Sequence, residues 1–367
     1  MAAAEPTVVA EISRSDLEHL DSPLTASITD VRHLSSYNWI DEPEPTIVVP
    51  GSPSLWAPPK DPVCVNKDSG HYYIDQNAAR HPSSPLEPLF RALYVTDSSF
   101  DIRSTDVVTD RNSIRKLVSF IRPRISPSRL QEFTINVDTI KNTTLFSRQE
   151  KNPVQFIEPQ SFKGFGHEFE SVCTTEKVVG NTGHHRIISY RFGGLNFIIR
   201  HETDAYVGAE SDLPVPSGNG EQRVRKKIRS KSARRGSTLT VRQSGHVVPL
   251  ECTLEIKTRA FDKPLSVYKI VPQLWISQTP KLVRGYYEDG VFQVPDVQDV
   301  TCEIQEWERN NQETLRQLAA VIRRILDVAK GCDGPVTVKH DMKKKKLVLW
   351  KVDRLPLLPQ DLYSKWD

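Results

Sequence analysis

Long apolar runs are missing from this chain. No stretch reaches the roughly 18 apolar residues that a membrane-spanning helix needs, which excludes a helical span. Cysteine is scarce. Cys64, Cys173, Cys252, Cys302 and Cys332 are scattered, with no Cys-x-x-Cys pair. That spacing argues against a zinc site and a disulfide framework and favours a reducing compartment. The amino terminus is Ala-rich, but Glu5, Glu11 and Asp16 arrive too early for a secretory signal. Internal repeats are absent. The remaining composition, 38% hydrophobic and 26% charged, is that of a soluble globular protein. A chain of 367 residues can hold one large domain or two smaller ones.

The charge is unevenly spread. Residues 223–242 hold nine Lys or Arg and no acid, so removing them from the net +3 leaves the rest of the chain at −6. This basic run lies in a Gly/Ser/Pro-rich spacer, about 211–246, which reads as a disordered insert between paired strands. Three roles are open to it: a solvated loop, a sequence-independent contact to RNA phosphates, or a nuclear-localisation patch.

Residues 1–35 are polar and weakly patterned, and are expected to form a flexible tail. Six prolines punctuate 37–59, a density that argues against a central strand or helix. The segment reads as extended chain laying Tyr37, Trp39 and Trp56 on the domain surface, or as a partner-docking peptide. A helix is expected from Arg111 to Ile121, capped by Asp110 or Thr109 and stopped at Pro123. Strands are expected at 133–137 and 144–146, a helix over 161–173, and a hairpin of 186–190 with 195–200 across Gly193-Gly194. An apolar helix over 265–276 should bend near Pro272. A second hairpin, 281–287 with 291–294, should turn at Glu288-Asp289-Gly290. The plainest helix runs over 312–330, with Leu315, Leu318, Ala319, Ile322, Ile325, Leu326 and Ala329 as its core stripe. Strands at 336–339 and 347–351 close a single catalytic domain over 36–355, and 356–367 reads as a tail. His184 and His185 have no ligand spacing and are expected at the surface.

The chemistry concentrates in 201–257. Glu202 and Asp204 stand two apart, as do Glu255 and Lys257, each pair beside apolar, β-forming residues. In a strand, residues i and i+2 share a face, so each pair would present its charges on one side of a sheet. Carboxylates gathered in one pocket repel each other unless a cation holds them. Hard divalent ions such as Mg²⁺ or Mn²⁺ take such oxygen ligands, and a lysine beside them can steady charge building on phosphate. This is the chemistry of metal-dependent phosphodiester cleavage. Two strands bearing Glu-x-Asp and Glu-x-Lys also resemble the PD-(D/E)xK nuclease-like superfamily.

Further motifs fall in order around these two. Arg111 opens a helix in Thr-Asp-Arg-Asn-Ser-Ile-Arg-Lys-Leu. Gly166-His167-Glu168-Phe169-Glu170 precedes Glu202-Thr-Asp204, and Glu255-Ile-Lys257 leads to Gln273 in Pro-Gln-Leu-Trp-Ile-Ser-Gln-Thr-Pro. Over about residues 105–350 this order resembles the decapping exoribonuclease (DXO) family, which includes the partner protein of the nuclear 5′–3′ exoribonuclease. His167 departs from it, standing where the family prefers an aromatic. The basic insert is larger than is usual there, and the helix after Lys257 is shorter.

The resemblance implies an α/β enzyme with a mixed two-sheet core, flanking helices and a site between the sheets. It implies Glu170, Glu202, Asp204 and Glu255, with the Ile256 carbonyl, as ligands of two Mg²⁺ or Mn²⁺ ions. Lys257 and Gln273 would hold the water and the scissile phosphate, and Arg111 a neighbouring phosphate. The implied activity is at RNA 5′ ends: removing pyrophosphate from triphosphate RNA or removing incomplete or non-canonical caps, with 5′–3′ degradation to follow. A 5′–3′ exoribonuclease is the implied partner. No membrane role is expected, and the location is nuclear or cytoplasmic, the basic insert favouring the nucleus. A DNA-directed nuclease of the same superfamily and a non-catalytic subunit of an exoribonuclease remain the alternatives.

Overall fold

In a computed structural model describing residues 5–19, 25–123, 131–158, 164–208 and 237–367, the strands Asn181–Phe192 and Leu195–Glu202 pair as the expected hairpin. Gly193 and Gly194 both take left-handed φ, 57° and 80°, which a two-residue turn demands and a Cβ would penalise. A mixed sheet of eleven strands among the described residues grows from this hairpin. Its order is Thr7–Ser13, Lys346–Lys351, Val336–Asp341, Thr134–Ile140, Thr143–Gln149, Val107–Asp110, Leu195–Glu202, Asn181–Phe192, Thr29–Ile40, Thr46–Gly51 and Thr240–Gly245.

Alternation along the hairpin sends apolar side chains to both faces, and both are covered. On one face Ile188, Tyr190, Phe197 and Ile199 share a core with the helices Arg111–Ile121, Val271–Ser277 and Gln312–Gly331. On the other, Ile187 and Ile198 join Tyr37, Trp39, the helix Glu87–Thr96 and Trp366. The 312–330 stripe is buried residue for residue as its period requires.

A second sheet, eight-stranded among the described residues, carries Ser54–Trp56, Ala205–Tyr206, Thr253–Ala260 and Lys281–Glu288 in its centre. The chain leaves the first sheet at Glu202 and enters the second at Ala205, so Glu-x-Asp sits on the crossing. The mixed two-sheet architecture with flanking helices is therefore the one expected.

Several segment expectations are corrected. The 1–35 region is not a flexible tail where it is described. Thr7–Ser13 pairs with Lys346–Lys351, and Thr29–Ile40 lies inside the large sheet. The proline-rich stretch is likewise interior: Thr46–Gly51 pairs with Thr29–Ile40, and Tyr37 and Trp39 are buried. Its prolines fall largely in turns and at strand ends. Pro50 lies in a strand, but the neighbour at that point runs parallel, against Ser244.

The insert was expected to be disordered to 246, yet Thr240–Gly245 forms that neighbouring edge strand, anchored by Arg242 on Glu42. Residues 211–236 lie outside the described ones. The carboxyl-terminal tail is a 3-10 helix, Gln360–Trp366, that buries Leu362 and Trp366. The 265–276 helix is shorter than expected, because Pro272 lacks the N–H an interior turn needs and instead opens the helix Val271–Ser277. The helices Glu87–Thr96 and Thr301–Asn310 had not been expected.

Candidate active site

The strand Thr253–Ala260 supplies the centre of the site. Glu255 is 2% exposed, and its two oxygens are fully engaged by cations and an amide. Arg111 donates from Nη1 to Oε2 at 3.2 Å, while Lys257 Nζ and Gln273 Nε2 both donate to Oε1. Burial alone would raise the Glu255 carboxyl, but Lys257 and Arg111 outweigh it and bring it down to about 2. Lys257, which burial would lower, is raised by Glu255 and Asp204 and stays an ammonium.

Asp204 reaches across the crossing between sheets. Its Oδ2 accepts the Ile256 N–H at 2.7 Å and lies 3.8 Å from Lys257 Nζ. Burial and then Glu255 push its carboxyl up to about 7. Lys257 Nζ also donates to the Ile256 carbonyl at 3.1 Å, so that expected ligand oxygen faces the same cleft.

Glu170 comes from the helix Gly166–Cys173, held at its start by Asp68. That carboxylate accepts N–H groups of Gly166, His167 and Glu168 at 2.8, 3.0 and 3.0 Å, filling three donors a helix start leaves open. A Cβ at Gly166 would stand 3.1 Å from Thr258 Oγ1 on the central strand, a tight contact. Phe169 anchors the helix by stacking on Phe292 beneath the second sheet, with ring centroids 4.2 Å apart. Burial, then the charges of Asp204 and Glu202, raise the Glu170 carboxyl well above the carboxylate range. Glu202 keeps an outer edge in solvent, yet desolvation within the cleft raises it too, with Glu255 adding and Arg111 opposing.

All the expected site residues thus belong to one electrostatic unit. Direct contacts join Arg111, Asp204, Glu255, Ile256, Lys257 and Gln273, while Glu170 and Glu202 act on them through charge. Arg111, expected to clamp a phosphate, rests its guanidinium on Glu255. Among the described residues no three His, Cys, Asp or Glu side chains are already arranged to grip an ion. The donor chemistry nevertheless fits a divalent cation. Four carboxylates share the cleft, three with raised pKa values, and a hard cation would relieve that strain.

The surroundings include groups the sequence did not flag. Asp110 stands at the helix N-cap as expected, but its carboxylate makes no cap hydrogen bond and takes the buried Arg200 in a two-pronged pair at 2.6 and 2.9 Å. A cavity of about 60 Å³ beside Glu202 and Arg111 is lined also by Tyr73, Arg148, His185 and Arg200. His184 and His185 are buried, not at the surface. They bond Asn38 and Gln76 at 2.9 Å, and burial with nearby arginines pushes both imidazoles well below their usual range. Asp68 carried no sequence signal, being some hundred residues from the helix it caps.

The profile of the family described as Domain of unknown function (DUF8563) matches residues 7–353. No curated protein sequence matches the chain. Among solved structures, S. pombe Rai1 is 14% identical, with a TM-score of 0.59 over 94% of this chain and 99% of that one. Candida albicans Rai1 in complex with pU5-Mn²⁺ is also 14% identical, with a TM-score of 0.59 over 99% of each chain. K. lactis Dxo1 in complex with manganese is 10% identical, with a TM-score of 0.51 over 96% and 99%. The fold is that of the Rai1 and Dxo1 structures, the family the motif order resembles.

Proposed function

The chain belongs to the DUF8563 family, and from that premise and its Rai1-like fold we propose that it is a metal-dependent hydrolase of RNA 5′ ends. One observation carries the reading: Asp204, Glu255, Lys257 and Gln273 meet where the chain crosses between the two sheets. Glu170, Glu202, Asp204 and Glu255, with the Ile256 carbonyl, would hold Mg²⁺ or Mn²⁺, two ions on the resemblance. Such ions supply polarisation of a phosphoryl oxygen and activation of a water.

The side chains do the rest. Lys257 stays charged between Glu255 and Asp204, ready to meet a phosphate oxygen when a cation takes over those carboxylates. Gln273 offers a neutral amide that can orient a water without competing for charge. Arg111, at the first turn of its helix, holds Glu255 in place and lines the polar cavity. The proposed reactions are removal of pyrophosphate from triphosphate RNA and removal of incomplete or non-canonical caps, followed by 5′–3′ degradation. A 5′–3′ exoribonuclease is the proposed partner, and the basic run at 223–242 supports a nuclear location.

Purified protein with Mn²⁺, given triphosphate RNA, capped RNA and single-stranded DNA, tests the proposal. Release of pyrophosphate or cap from RNA supports it, provided that Asp204→Ala with Glu255→Ala abolishes the release. Cleavage of DNA alone makes it a DNA nuclease. Binding without cleavage of any substrate makes it a non-catalytic subunit.

A further inference from the structure

Beside the cleft stands a small two-stranded ribbon, Gly70–Tyr73 against Val154–Ile157, that belongs to neither large sheet. Its register sets His71 opposite Phe156 and Tyr73 opposite Val154. Alternation therefore places His71, Tyr73 and Phe156 on one face and Tyr72 on the other. The inner face is fixed: Tyr72 stacks on His167 with centroids 3.8 Å apart and planes at 17°. His167 lies on the helix that carries Glu170, so the ribbon is mounted on the site itself.

The outer face is open. Phe156 is 57% exposed and Tyr73 41%, and His71 is exposed with its ring 4.8 Å from that of Phe156. Aromatic rings left in water on a ribbon so narrow add nothing to a core. Tyr73 also lines the polar cavity shared by Arg111, Arg148 and Glu202, so the aromatic face borders the site at that residue. Three acidic groups along that approach are paired with cations: Glu150 with Lys116 and Arg148, Asp75 with Arg148, and Asp110 with Arg200. Exposed Lys67 and Lys151 precede the two strands.

Flat rings spaced along a strand, with cations beside them and a phosphate-directed site at one end, suit unpaired nucleobases on a polyanionic backbone. Along the strand, His71 and Tyr73 are separated by about 6.6 Å, twice the roughly 3.4 Å repeat of a stacked strand, which matches a splayed chain. We propose that the outer face of this ribbon is the track on which single-stranded RNA enters the cleft, its bases stacking on Phe156, His71 and Tyr73. The track rests on the RNA-end reading above and names the substrate as unpaired, with a body of several nucleotides.

The test uses the full chain and a 3′-labelled oligouridylate of ten residues with a 5′ phosphate, bound in EDTA so that nothing is cut. Tyr73→Ala with Phe156→Ala should weaken binding by roughly tenfold or more for each platform removed, and Phe156→Trp should preserve it. Binding of a duplex of the same length should not respond. With Mn²⁺, Phe156→Ala, which lies outside the cavity, should raise KM for the ten-residue substrate at unchanged kcat, and change neither for a dinucleotide. Phe156→Ala alone, at the more exposed position, carries the test if the pair unfolds the chain.

Equal oligouridylate affinity in variant and wild type overturns the track, even where RNA ends are cleaved. So does a wild-type protein with no affinity for the oligouridylate. Loss of affinity in a protein that cleaves no RNA end leaves the track standing and removes the end-processing reading instead. A change in sedimentation with RNA affinity intact marks the face as a protein contact and overturns the proposal.

Discussion

Asp204→Asn separates the electrostatic strain of the site from its chemistry. Burial and then Glu255 shift this carboxyl from 3.8 to about 7. Between those values the folded chain keeps a proton that the unfolded chain has released. Stability of the metal-free protein must therefore fall as pH rises through that window. At about 1.4 kcal/mol per unit, the full excursion is about 4 kcal/mol. This is an upper bound, because Glu170 is raised by the same crowding. Asparagine still offers an oxygen to the Ile256 N–H and has no charge to desolvate.

Chemical denaturation in EDTA should find the variant more stable than wild type at pH 8, by about 2–4 kcal/mol, and by less at pH 5. Mn²⁺ should stabilise the wild type and leave the variant nearly unmoved. Glu255 has the opposite sign. Its carboxyl falls from 4.5 to about 2, so its contribution is present above the higher value and is lost as pH drops toward the lower. A variant no more stable than wild type at pH 8 would refute the view that crowded carboxylates store this strain.

Gln273→Ala removes one donor from Glu255 while Arg111 and Lys257 remain, so kcat on triphosphate RNA should drop by roughly 10- to 100-fold with an unchanged melting temperature. Trp366→Ala should lower stability by about 3–5 kcal/mol in urea titration, because Trp366 is buried against Phe90 and donates to Thr143 Oγ1 at 2.8 Å. Truncation of a true tail would leave stability unchanged. Circular single-stranded RNA has no 5′ end and should resist the protein where a linear RNA of equal length is degraded, which gel electrophoresis reads directly. Replacing the eight Lys and Arg of 223–235 by Gln should reduce nuclear accumulation without affecting cleavage, and microscopy of a tagged chain checks it. A deletion carried on through Ser244 would instead remove an edge strand and cost stability.

Local pattern was enough for the elements whose stabilisation is local. The 312–330 stripe has the helical period, and Gly193-Gly194 has the φ freedom of a tight hairpin, so both were legible. Glu255 and Lys257 were legible as a pair because i and i+2 spacing on a strand places charges together; Glu202 and Asp204 are not such a pair, since the strand ends at Glu202 and Asp204 lies on the crossing. Other features depend on residues far apart in the chain. Residues 37–51 look proline-broken in isolation, and become strands because Asn181–Phe192 and Thr240–Gly245 offer them ladder partners. His184 and His185 show no periodicity that predicts burial; Asn38 and Gln76 satisfy them inside.

The sequence by itself therefore determined the family resemblance that the fold bears out and which charged groups to look for together. Tertiary structure alone decided that Arg111 rests on Glu255, that Asp68 holds the helix of Glu170, and that Asp204 titrates near neutrality. The physical reason is common to all three. Charge–charge and capping interactions depend on distance and burial, and a chain fixes those only after its two sheets have closed on each other.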